Sequence, residues 1–162
     1  MSVIEQKIRD MGLDLPDSTE LVVKGLQLVG AVRTGNLVFV SGCAPMQGGE
    51  FKFLGKLGHD MDVATGYAAA QLTILNSLSR LKGVIGDLDR VTRIVKVFGM
   101  VNCTPDFGDQ PKVINGASDL LVKLYGERGR HARSAVGMVT LPRNISVEIE
   151  MIAEVEPDAD RR

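Results

Sequence analysis

Tryptophan is absent from this chain, and aromatic residues of all kinds make up only 4% of it. Modules that read single-stranded nucleic acid stack bases on aromatic side chains, so this scarcity argues against them. Charge points the same way. Nineteen basic residues face twenty acidic ones, a net charge of -1, which gives no general attraction to nucleic acid or to anionic membranes. There are only two cysteines, Cys43 and Cys103, and two histidines, His59 and His131, all isolated in the sequence. None has the spacing of a metal site, and two packed, reduced thiols are expected. No apolar run reaches the roughly 20 residues that span a bilayer. The first ten residues are mixed in charge and lack the apolar centre of a signal peptide. A cytoplasmic protein with no membrane association, no metal and no organic cofactor is the expectation.

What remains is an ordinary globular composition, 44% apolar and 24% charged over 162 residues, enough for one domain spanning 1–162 with a proper core. Ser2 and Glu5 fit a capping box for a first helix with Ile4, Ile8 and Met11 on one face and Gly12 as its stop. That helix belongs to an N-terminal extension over residues 1–20. The chain turns strand-like from Leu21, and a hairpin joins Leu28–Val32 to Leu37–Ser41 through Thr34-Gly35-Asn36. A short strand is possible around 51–53. Asp60 is the expected cap of a long helix reaching about Lys82, ended by Gly83 or Gly86. Residues 90–101 are rich in β-branched side chains and read as a central strand. Pro111 opens another helix that Gly126 closes, and residues 156–162 form a polar tail.

The most informative stretch runs from Arg133 to Glu150. It reads as two strands around the turn Leu141-Pro142-Arg143-Asn144. On the second strand Val147, Ile149, Met151, Ala153 and Val155 alternate with Glu148, Glu150, Ile152 and Glu154. The apolar set should face the helices. On the strand from Arg90, simple alternation puts Arg93, Val95 and Val97 on one face and Ile94, Lys96, Phe98 and Met100 on the other. The element order predicts a two-layer α+β domain, a sheet with two main helices on one face. The second face is only partly polar, which points to subunit packing.

An arginine that opens a strand is a preformed fork for a carboxylate or phosphate, and a nearby carboxylate can handle a proton or a water. Spacing alone also allows a cross-strand ion pair of Arg133 with Glu148 or Glu150. The run Arg128-Gly129-Arg130-His131-Ala132-Arg133 allows a phosphate-binding patch or a solvated loop.

The ordered set of motifs resembles the RidA/YjgF family, also known as L-PSP endoribonuclease-like. Ala132-Arg133-Ser134, Leu141-Pro142 and Val147-Glu148-Ile149-Glu150-Met151-Ile152-Ala153 match its closing signature, and Gly35-Asn36 through Ser41-Gly42 matches its first hairpin. Asn115 lies where the family has an asparagine early in its second helix. The resemblance implies a chorismate-mutase-like fold with a mixed sheet, assembled as a homotrimer with sites between subunits. It also implies hydrolytic deamination of reactive enamines and imines, of the 2-aminoacrylate type, to 2-keto acids and ammonia. Arg133 would then bind the substrate carboxylate and Glu148 would handle water or protons, with Asn115, Ser41, Gly42 and Cys43 lining the pocket. Ala135 stands where the family often has cysteine, so no thiol acts there. Two other readings stand beside it: an RNA-binding or endoribonuclease-like protein, resting on the basic run 128–133, and a non-catalytic trimer that senses a small carboxylate through Arg133.

Overall fold

The computed structural model describes residues 2–17, 25 and 27–157; the strand-like start expected from Leu21 falls largely outside them. Helix α1, Val3–Asp10, begins as its capping residue dictates, with the Ser2 oxygen accepting from the Glu5 N–H at 3.3 Å. The rest of the expected box is replaced by longer reaches. Glu5 receives Lys82 Nζ at 3.0 Å, and the first turn is held by Asp89, whose carboxylate accepts from Ser2 Oγ and from the N–H groups of Val3 and Ile4. Ile4 and Ile8 are buried, so the extension docks on the core.

The hairpin consists of β1, Ala31–Thr34, and β2, Leu37–Cys43, joined across Gly35 and Asn36. It starts later than the apolar pattern suggested; Leu28 and Val29 are exposed and outside the strand. Strands β3, Met46–Gln47, and β4, Glu50–Phe51, form a separate small ribbon. Helix α2, Val63–Ile85, is capped by Asp62, whose side chain accepts from Thr65 N–H at 2.8 Å, and it closes on Gly86. Asp60, the cap expected from sequence, instead accepts from the Lys56 N–H and pairs with His59 in the preceding turn. Strand β5, Val91–Asn102, leads to α3, Gln110–Tyr125, then to β6, Ala132–Met138, and β7, Val147–Val155.

The main sheet has the order β1-β2-β7-β5-β6. All neighbours are antiparallel except β5 and β6, which run parallel. The connection from β5 through α3 to β6 is the crossover that a parallel pair requires. The two closing strands are therefore not partners: β5 lies between them, and residues 139–146 carry the chain over its end. In that segment Pro142–Asn144 forms a 3₁₀ turn, with Arg143 and Asn144 in the left-handed region.

Both main helices cover one face. Val147, Ile149, Met151, Ala153 and Val155 are all buried there, as the alternation of β7 predicts. On β5 simple alternation fails. Irregularities between Val91 and Arg93 and between Ile94 and Lys96 put both Ile94 and Val97 on the helix side, opposite Ala153 and Met151. A bulge adds one residue to a strand and resets which face follows. The opposite face carries Lys96, Phe98, Met100, Phe39 and Ile152, and it stays partly open: Val32 is 53%, Phe39 43% and Val136 37% exposed. At one end Met100 is covered by Leu141 and Ile145.

The helices approach closely at Gly116. A Cβ built there would lie 2.0 Å from the carbonyl oxygen of Tyr67 on α2. Backbone cannot move aside as a side-chain tip can, so this contact sets where α3, and everything on it, sits relative to the sheet. Gly116→Ala is expected to destabilise the protein by about 1–3 kcal/mol, the usual cost of overpacking, measured as a lower urea midpoint with an unchanged slope.

Candidate functional site

Arg133 sits at the start of β6, opposite Val97 of β5, and its side chain turns to the helix face. Its Nη1 donates to Asn115 Oδ1 at 2.8 Å and to Ser118 Oγ at 2.9 Å, and its Nη2 reaches the Pro111 carbonyl at 3.4 Å. Asn115 and Ser118 are three residues apart on α3, so they share one side of the helix. Among the described residues no carboxylate pairs with Arg133, and its Nε has no partner. The cross-strand ion pair with Glu148 or Glu150 that spacing allowed is not formed. The guanidinium is half-buried, fixed by neutral oxygens and left with positive charge to offer.

Glu148 belongs to the other face. It lies opposite Met100 on β7, and its neighbours Val147 and Ile149 point into the core. Its carboxylate fills the space that Gly42 leaves: a Cβ at Gly42 would stand 2.1 Å from Glu148 Oε1. Gly42 lies in the irregular stretch of β2 between Val40 and Cys43. That stretch is clamped by Ser41, whose N–H donates to the Gly30 carbonyl at 3.0 Å and whose hydroxyl donates to Val29 at 2.7 Å. Arg80 of α2 donates to the Gly42 carbonyl at 3.1 Å. Burial raises the Glu148 carboxyl above the usual glutamate range; nearby Glu150 adds to this and Arg80 opposes it. Cys43 is buried, and burial holds its thiol above the ordinary range against the pull of Arg80, so it packs as a protonated side chain rather than reacting.

The residues expected to form one site thus fall into two groups. Ser41, Gly42, Cys43 and Glu148 cluster at the β2 irregularity, while Arg133 and Asn115 meet under α3. One protomer holds Glu148 and Arg133 on opposite faces of its sheet, while Cys43, opposite Ile149, points into the core beneath the helices.

The basic run 128–133 does not form a patch. Arg128 donates to the Val91 carbonyl at 2.8 Å, Arg130 pairs with Glu127 at 3.1 Å, and Arg133 turns under α3. His131, read from sequence as isolated, meets Ser118 at 3.0 Å. The i, i+3 relation of Ser118 to Asn115 was the available signal for it; nothing in the sequence marked Arg80. An open groove of about 610 Å³ at the far ends of β5 and β6, lined by Lys56, Cys103, Gln110 and Thr140 among others, contains none of the expected site residues. Among the described residues no group of three potential metal ligands occurs, and no helix is long and apolar enough to cross a membrane.

Comparison with known proteins agrees with this architecture. A Trypanosoma cruzi protein, Protein TCP17, is 37% identical over 153 residues, covering 94% of each chain. The crystal structure of Atu1372 from Agrobacterium tumefaciens, a protein of unknown function, is 42% identical with a TM-score of 0.86, covering 94% of this chain and 92% of that one. A structure named as a putative endoribonuclease from Shewanella oneidensis MR-1 is 32% identical with a TM-score of 0.88, covering 94% and 99%. Residues 5–155 match the family described as "YjgF/chorismate_mutase-like, putative endoribonuclease". With the family matched along almost the whole chain and the sheet order and helix placement in accord, this protein belongs to the YjgF/chorismate mutase-like family.

Proposed function

We propose that this protein hydrolyses reactive enamines and imines of small carboxylates, giving 2-keto acids and ammonia, at sites shared between subunits of a homotrimer. The observation that carries the reading is the fixed guanidinium of Arg133, which has no carboxylate counterpart among the described residues. It grips the substrate carboxylate and so places the C=N carbon at a set distance from proton-handling groups, the advantage of an intramolecular reaction. Glu148, with its raised pKa, holds a proton closer to neutral pH than an ordinary glutamate does and serves as acid and base toward substrate and water. One such group contributes on the order of 100- to 10,000-fold. That is ample for an intermediate that also hydrolyses unaided.

The homotrimer enters because Arg133 and Glu148 stand on opposite faces of one sheet. A site using both takes one from each of two copies, and the open apolar patch of Val32, Phe39 and Val136 is a surface for such packing. Cleavage of RNA, the activity in the family's description, has less support here. The arginines of the 128–133 run are each engaged locally and aromatics are scarce.

With an amino-acid oxidase generating the imine, Arg133→Ala is expected to abolish the accelerated release of keto acid while the circular dichroism spectrum stays native. Undiminished release by that variant sinks the assignment, and salt-sensitive RNA cleavage in its place favours the rival. The shared site has its own test. Arg133→Ala and Glu148→Gln chains, each inactive alone, are co-refolded; every mixed trimer should regain one intact site, and activity should reappear. Mixtures as inactive as their parents would place both residues in the service of a single chain.

A further inference from the structure

A continuous chain of hydrogen bonds runs behind Arg133. Its Nη1 donates to Ser118 Oγ at 2.9 Å, Ser118 Oγ lies 3.0 Å from His131 Nε2, and His131 Nδ1 lies 2.6 Å from the Gly129 carbonyl. The partners fix the direction of every bond. A carbonyl only accepts, so Nδ1 carries the ring proton. In the neutral ring Nε2 is then bare and accepts the single proton of Ser118, whose lone pair receives the guanidinium. The order is hydroxyl, base and orienter, the arrangement that activates a serine, with a cation touching the same oxygen.

The surroundings keep the ring neutral. Burial lowers the His131 pKa, the bond to Gly129 opposes this, and Arg133 lowers it further. No carboxylate among the described neighbours offsets them. Glu127 is paired with Arg130, and Asp119, adjacent to Ser118 in the chain, accepts the Tyr67 hydroxyl at 2.9 Å. Arg128 is turned to Val91, and Lys96 donates to Ser134 on the opposite face of the sheet.

We propose that Ser118 and His131 are the proton relay of the site that Arg133 anchors, with Ser118 as a catalytic hydroxyl and His131 as the base behind it. The inference rests on Arg133 holding the substrate carboxylate as described above, and it divides the proton work. Glu148 of the second copy gives its proton to the enamine carbon, forming the iminium. Water then attacks the iminium carbon. A C–O bond forms, the C=N π pair moves to nitrogen, one water proton passes to Ser118 Oγ, and the Ser118 proton passes to His131 Nε2. The product is a neutral carbinolamine. The relay returns its proton to the amine nitrogen, the C–N bond breaks to release ammonia, and the hydroxyl proton returns to the Glu148 carboxylate as C=O forms. Enamine and water become keto acid and ammonia, and both acid-base groups are reset.

His131→Gln and Ser118→Ala are each expected to lower kcat by on the order of 100-fold or more and to remove the acidic limb of the kcat profile, with KM nearly unchanged in His131→Gln and raised in Ser118→Ala, which also takes a partner from Arg133. The double variant should be no worse than either single one, since the pair acts as a unit. A merely structural role would instead raise KM in His131→Gln, leave the pH profile in place and give additive losses in kcat. The second readout needs no turnover. Nitrogen NMR of the ring should show the Nδ1–H tautomer with a pKa below that of free histidine, and pyruvate should shift the ring signals in the wild type but not in Arg133→Met. If the wild type fails to hasten imine decay, the deaminase reading falls and the ring signals alone decide the relay. Wild-type kcat in both variants, an Nε2–H tautomer, or ring signals indifferent to pyruvate overturns it.

Discussion

A cation held by neutral oxygens behaves differently from one held by a carboxylate. In an ion pair most of the field of a guanidinium is cancelled locally, and its strongest donors are taken. Asn115 and Ser118 give Arg133 geometry without neutralising it. Its orientation depends in turn on α3, whose placement is fixed by the close backbone approach at Gly116. The crossover that returns the chain to β6 beside β5 then brings the arginine under the same helix. Helix contact, strand pairing and the setting of Arg133 are one mechanical assembly.

The same topology keeps the two charged groups apart. Inserting β5 between the closing strands separates Arg133 from Glu148 by a full strand, and their register places them on opposite sides. The acid is supported by a different set of elements: the irregular end of β2, the strap from Val29 and Gly30, and Arg80 of α2. Two half-sites, each preorganised by its own neighbours, suit a pocket assembled when copies meet.

Much of this was legible in the residues themselves. The alternation of β7 named its buried face, Pro111 and Gly126 bounded α3, and Ser2 marked the start of α1. What escaped was long-range. A Leu-Pro turn between two strands does not say whether they pair, because nothing local announces that β5 lies between them. Period-two reasoning on β5 broke where irregular pairing reset its faces. Asp60 and Asp62 carry the same capping chemistry, and only the observed bond to Thr65 separates them. His131 looked solitary because its partner lies thirteen positions earlier on another element.

The contact between Gly42 and Glu148 has a consequence for how such sequences drift. The glutamate head occupies the volume that any larger residue at position 42 would claim, so a side chain there must push the head aside, while position 148 can shorten with glycine still in place. A lineage that acquires a side chain at the first must shorten or relocate the acid at the second, and a lineage that keeps the acid is held to glycine. The order of change is thus set by this patch of backbone: the acid withdraws first, and only then is position 42 free to grow.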